Sequence, residues 1–227
     1  MKKQDIVAIL VVLAIFLPFF LSTPLYEFYL KTNGAHPYLL AFLKFGILAT
    51  MGEMLACRIR AGYYCNAQFG VVPKALVWGL LGMWIALAMK VFSAGIPVAL
   101  EKIGFEGQTA AMTGGFSWLK LWGAFCISVM MNTSFAPVFM TLHKITDTHI
   151  TKYNGQISCL AKPIKIGETL ANLDWKVQWN FVFKKTIPLF WIPAHTITFI
   201  LKQNAQVLFA ALLGAALGLI LAIAARK

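Results

Sequence analysis

Long apolar runs alternate with short polar connections along the chain. They extend from about Ile6 to Leu21, Tyr38 to Cys57, Ala75 to Phe92, Leu119 to Thr141, Thr186 to Leu201 and Gln206 to Ala225. A helix rises ~1.5 Å per residue, so a ~30 Å hydrocarbon layer takes about 20 such residues. The pattern therefore predicts an all-α fold, a polytopic transmembrane helix bundle of about six spans forming one integral membrane domain over residues 1–227. The strict alternation that a membrane β-barrel needs is not present.

The fifth run, "TIPLFWIPAHTITFIL", is short and holds two prolines. It predicts a tilted or irregular span. At about 100° per residue, Lys184, Pro188, Trp191, His195, Thr198 and Lys202 fall on one arc. Its polar groups thus predict a seam turned toward other helices, either a dry contact or a water-lined path. Between the fourth and fifth runs, "GETLANLDWKVQWNF" places Leu170, Leu173, Val177 and Phe181 at helical spacing. That stretch predicts an amphipathic helix lying in the membrane interface.

Small residues mark where helices approach closely in lipid. Ala75, Gly79, Gly82 and Ala86 share an arc of the third run, and Ala210, Gly214, Gly218 and Ala222 repeat every four residues in the last. Either bundle packing or a seam between two copies of the chain accounts for them. In the second run Gly46, Ala49, Glu53 and Ala56 share a narrow arc, with Gly52 beside them, so Glu53 is seated on the packing face. An acid in that position marks a paired or functional group. Lys44 points to the opposite side and is expected to snorkel. Asn132, in the middle of the fourth run, is either interhelical glue or a pore-lining amide.

Charge sets the orientation. Lys2 and Lys3, then Arg58, Arg60 and Lys74, then the lysines from Lys144 to Lys185, then Arg226 and Lys227 fall on alternate connections and both ends. The positive-inside rule puts both termini in the cytoplasm. The start of the chain has a basic segment and an apolar stretch but no small-x-small cleavage site before Pro24, so residues 1–22 read as a retained span.

Composition narrows the function classes. Hydrophobic residues make up 59% of the chain and charged residues 12%, with a mean hydropathy of +0.74, far from a soluble domain. The net charge of +12 does not indicate nucleic acid, because the basic residues flank apolar runs and no base-stacking motif lies among them. Cys57, Cys65, Cys126 and Cys159 show no metal-ligand spacing. No catalytic motif is present in the chain, so neither an enzyme nor a cofactor or metal site is expected.

The segments "HP", "GILATMGEMLA", "FAP", "DW" and "WIPAHTITF" resemble the Mpv/PMP family of small peroxisomal and mitochondrial inner-membrane proteins, which has bacterial members. The resemblance runs from His36 to the C-terminal region. Gly46, Gly52 and Glu53 match its glycine and glycine-acid pattern, with Glu for the usual Asp and Cys57 where glutamine is common. Trp191 and Phe199 match its C-terminal segment, in which His195 and Thr198 replace a glutamine and an asparagine and Pro193 comes one residue late. The family's following arginine has no counterpart. The resemblance implies a small multi-helix membrane protein without a cofactor, described as a pore or a modulator of membrane homeostasis.

Two functions follow. One is a channel-like protein passing an unspecified small solute or ion along a seam of Glu53, Asn132, Trp191, His195 and Thr198, gated by protonation of His195. The other is a non-transporting structural or interaction protein of the bilayer, binding partners, itself or anionic lipid.

Overall fold

A computed structural model describes residues 3–224 and is all-helical over that range. Lys2, Arg226 and Lys227, used above for orientation, lie outside the described residues. The elements are α1 (Lys3–Leu21), α2 (Thr23–Ala35), α3 (Pro37–Ala61), α4 (Val71–Lys102), α5 (Gln108–Thr113), α6 (Trp118–Ser134) and α7 (Ala136–Lys152). After them come the short α8 (Ile166–Ala171) and α9 (Trp175–Val177), a π-wound segment Gln178–Trp191, α10 (Ile192–Ile200) and α11 (Gln203–Ala224).

By length and composition, three helices can cross a membrane: α1, α3 and α4, with mean hydropathies of 2.5, 1.6 and 1.9. A fourth span is available if α6 and α7, bent by 47° at Phe135, count as one. These are fewer than the six apolar runs. The fifth run is not a single α-helix, because Pro188 and Pro193 each lack the N–H that continues an α-ladder. Residues up to Trp191 are wound more widely, and a nine-residue α-helix follows. In α11 the stretch Gln203–Gly218, beyond which most side chains are not described, is an apolar helix shorter than a span.

The stretch expected to form one amphipathic helix is broken as well. α8 stops at Ala171, and the Asp174 carboxylate caps a new turn by accepting from the Val177 amide at 3.0 Å. Asn172 and Asp174 favour caps over helix interiors, which is why the apolar spacing does not produce one continuous helix. Trp175, Val177, Trp179 and Phe181 are all exposed.

The core is built where α3, α4, α6, α10 and α11 meet, from Phe45, Leu48, Met89, Ala124, Ile127, Met131, Phe199, Ala210 and Ala211. α3 runs antiparallel to α4 at backbone contact. A Cβ on Gly46 would stand 2.9 Å from the Ala75 carbonyl oxygen, one on Gly79 would meet the Phe42 ring at 2.5 Å, and one on Gly82 would meet the Phe45 Cβ at 2.3 Å. On its other side α3 meets α11, where a Cβ on Gly52 would lie 2.6 Å from the Ala215 Cα.

That contact departs from the four-residue ladder read in the last run. Gly214 has nothing within 4 Å of its Cβ direction, and Gly218 makes only ordinary contact with the Gly52 oxygen at 3.7 Å. Each step of four residues rotates about 40° around a helix, so Ala210, Gly214 and Gly218 drift off a straight seam. Ala211, Ala215 and Gly218, spaced four then three, stay on it. α1 contributes no buried residue. Its start is tied to the end of α3 by Asp5, which accepts from Arg58 at 2.8 and 3.0 Å and from the Tyr64 hydroxyl at 3.2 Å.

These contacts give opposite expectations for two glycines. Gly52→Val should destabilise the protein by about 3 kcal/mol, because the new side chain meets backbone that cannot yield. Gly214→Ala should be neutral or stabilising by up to ~1 kcal/mol, from helix propensity alone. Denaturant titration of the two variants in bicelles checks the ordering.

Candidate functional site

Two separate polar clusters hold the residues of interest. The first is centred on Lys74, one turn into α4. Gly70, the residue before α4, has φ +69 and Gly155, just after α7, has φ +67, and a Cβ on either would meet the other's backbone at 2.7 Å or less. This close crossing fixes the start of α4 against the end of α7. It also brings Lys74 beside Asp147.

The Lys74 ammonium donates to Glu53 Oε2 at 2.6 Å and forms a second, very short ion pair with Asp147. The other Glu53 oxygen accepts from Trp78 Nε1 at 2.7 Å and lies 3.3 Å from His143 Nε2. The Trp78 and His143 rings pack with centroids 4.3 Å apart, and the Phe69 ring lies 4.9 Å from the Lys74 ammonium. Three helices thus place two carboxylates, one ammonium and one imidazole together. Their side chains retain some exposure, 11% for Lys74 and between 25% and 29% for the other three. Two carboxylates against one ammonium leave an excess negative charge beside the His143 ring.

The second cluster joins α6 to α10 and is buried. The two Asn132 amide hydrogens have acceptors in the Ser128 carbonyl at 2.9 Å and His195 Nδ1 at 2.9 Å. Asn132 Oδ1 also stands 3.2 Å from Nδ1, so the pair closes with either ring tautomer. Ser128 donates across the helix interface to the Ile192 carbonyl at 2.7 Å. Trp191 stacks on the His195 ring at 5.1 Å, and Phe199 flanks it at 6.4 Å. Ser128 and Asn132 are completely buried and His195 is buried.

Of the five seam residues read from the sequence, Asn132, Trp191 and His195 come together here. Thr198, fully buried, returns its hydroxyl to the Ala194 carbonyl of its own helix at 2.9 Å. Glu53 belongs to the other cluster. The long stripe from Lys184 to Lys202 is shortened as well. Lys184 and Pro188 are exposed while Thr186 and Ile187 are buried, because π-winding turns less per residue than the α-wheel assumes.

Lys44 does not snorkel to solvent. It is buried, with its ammonium donating to Asn33 Oδ1 at 2.6 Å.

Sequence reasoning missed Lys74, His143 and Asp147. Lys74 had been counted with a loop, and the fourth run ends at Thr141 by hydropathy although the helix continues to Lys152. The available signal was the i, i+4 spacing of His143 and Asp147, which puts both on one helical face. Among the described residues no three His, Cys, Asp or Glu side chains are grouped to hold a metal ion. No protein-family model, curated protein or solved structure matches the chain.

Asn132→Leu removes the amide while keeping the shape, leaving the buried Nδ1 of His195 without its partner. It should cost about 1–3 kcal/mol. Adding His195→Phe should recover part of that loss, since both partners are then apolar. Unfolding titrations of the single and double variants measure the recovery.

Proposed function

We propose that this chain is an integral membrane protein that passes small solutes or ions, with the Glu53, Lys74, His143 and Asp147 cluster as its charged constriction. One observation carries the reading. Four titratable side chains from three helices of an apolar bundle meet in a place that is partly open. Charges there are costly, and pairing them does not by itself stabilise a fold more than apolar packing would. Retaining them fits a role at an ion or solute path.

The cluster lies at the end of α3 and α4 that also carries Arg58 and Arg60. In the positive-inside orientation that end is cytoplasmic. We assign the protein to a bacterial inner membrane with both termini cytoplasmic, the six-run arrangement being completed by the irregular fifth segment and α11. Membership of the Mpv/PMP family is part of the same proposal, supported by Gly46, Gly52, Glu53, Trp191 and Phe199.

A specific observation favours a second reading, that of a non-transporting structural or interaction protein. The Asn132, Ser128 and His195 contact is closed and satisfied, as expected of interhelical glue.

Reconstituted liposomes separate the two. Under the transport reading, protein-containing vesicles release small ions or swell in small neutral solutes, and Glu53→Gln or His143→Gln alters the rate several-fold while the helical content is unchanged. Vesicles as tight as protein-free controls would overturn it and favour the structural reading.

A further inference from the structure

At the end of the bundle away from the Lys74 cluster, a cavity of about 530 Å³ opens between α2, α3, α4 and the start of α11. Lys90, which lines it, is sixteen residues from Lys74, or about 24 Å along α4. The polar lining is one-sided in chemistry. Asn33, Lys90, Ser93, Gln203, Asn204 and Gln206 contribute an ammonium, a hydroxyl and four amides, and no carboxylate lines the cavity.

The donors differ in what they meet within the protein, the Gln206 amide already donating to the Leu201 carbonyl at 3.1 Å. Asn33 Oδ1 is committed to Lys44, which turns the amide's hydrogens to other acceptors. The Ser93 hydroxyl is buried and has no hydrogen-bond partner. Lys44 itself is a buried ammonium that no carboxylate pairs with among the described residues, its other neighbour being the Tyr29 ring at 5.6 Å. An uncompensated buried cation is costly, and an anion nearby relieves that cost. The remaining walls are apolar, from Pro37, Tyr38, Met89 and Val207.

We infer that this cavity binds a small organic oxyanion, a carboxylate or phosphate head on a short apolar body. The head accepts from Lys90, Ser93 and the Asn33 amide, and the body lies against Tyr38 and Met89. The volume falls in the usual range for small-molecule sites. The inference goes beyond the proposed passage, because it requires binding only and stands even if the liposomes prove tight.

The test is ligand-dependent thermal stability of the full chain in phosphatidylcholine nanodiscs at constant ionic strength, with butanoate, butyl phosphate and, as a control, butylammonium. Binding to the folded state raises the melting temperature in proportion to occupancy. The two anions should stabilise saturably and the cation should not. Lys90→Gln and Ser93→Ala should each raise the half-saturating concentration at least about fivefold, the equivalent of one lost charged or polar contact. Ser93→Ala should leave the unliganded protein no less stable, since its hydroxyl bonds nothing there.

A second arm replaces part of the lipid with phosphatidylglycerol. If this reproduces the saturated stability without added ligand, the oxyanion is a lipid headgroup; if the response to butyl phosphate persists, it is a free solute. No response to either anion, an equal response to the cation, or unchanged half-saturation in both variants would overturn the inference.

Discussion

The Lys74 ammonium, held between Glu53 and Asp147, is the contact on which the arrangement of α3, α4 and α7 depends. Without it two carboxylates would share one site in a bundle of low dielectric constant, where like charges repel strongly. Pairing by itself does not explain why the charges are there, because their desolvation offsets much of the attraction. The backbone explains how they are held. Gly70 crosses Gly155 at the start of α4, and Gly46 admits the Ala75 carbonyl two turns before Glu53 on α3. Both approaches depend on the absence of a side chain. Together they fix where Lys74 lies relative to both acids.

Three polar places in the bundle differ in character. Around Lys74 the groups are charged and partly exposed. Between α6 and α10 they are buried, and Asn132, Ser128 and His195 bond across the interface and so fasten one helix to another, while the Trp191 indole N–H beside them has no partner. In the cavity beside Lys90 the buried Ser93 hydroxyl has no partner in the protein and no carboxylate among the described residues faces the ammonium. The first and third leave chemistry available for something other than the fold, and they lie about 24 Å apart along α4.

Part of this was legible in the sequence. The apolar runs gave the helices, and the small-residue arcs around Gly46, Gly79 and Gly82 lie at the α3 and α4 contact. Glu53 on the same face as Gly46 pointed to a paired acid, and the rarity of Asn132 and His195 in apolar runs pointed to a polar contact. What was not legible has physical causes. Hydropathy cannot see that a helix such as α7 continues through polar residues once a neighbour satisfies them, so the apolar pattern alone ends before His143 and Asp147. An α-wheel cannot place residues in a segment that two prolines and a wider winding have taken off the wheel, so Lys184 and Pro188 were put on the wrong face. A strict four-residue ladder favoured Gly214, although a seam held at 3.6 residues per turn passes through Ala215. Glu53 and His195, each unusual by itself, were assigned to one path because sequence carries no distance between them.

The account's central claim is that Glu53 and Lys74 act as one unit across the α3 and α4 interface. A double-mutant cycle of Glu53→Gln and Lys74→Met, read as unfolding free energy in bicelles, tests it most directly. The structure predicts a coupling energy above about 1 kcal/mol, with the double variant losing less than the two single losses combined. Losses that add to within about 0.5 kcal/mol would contradict it.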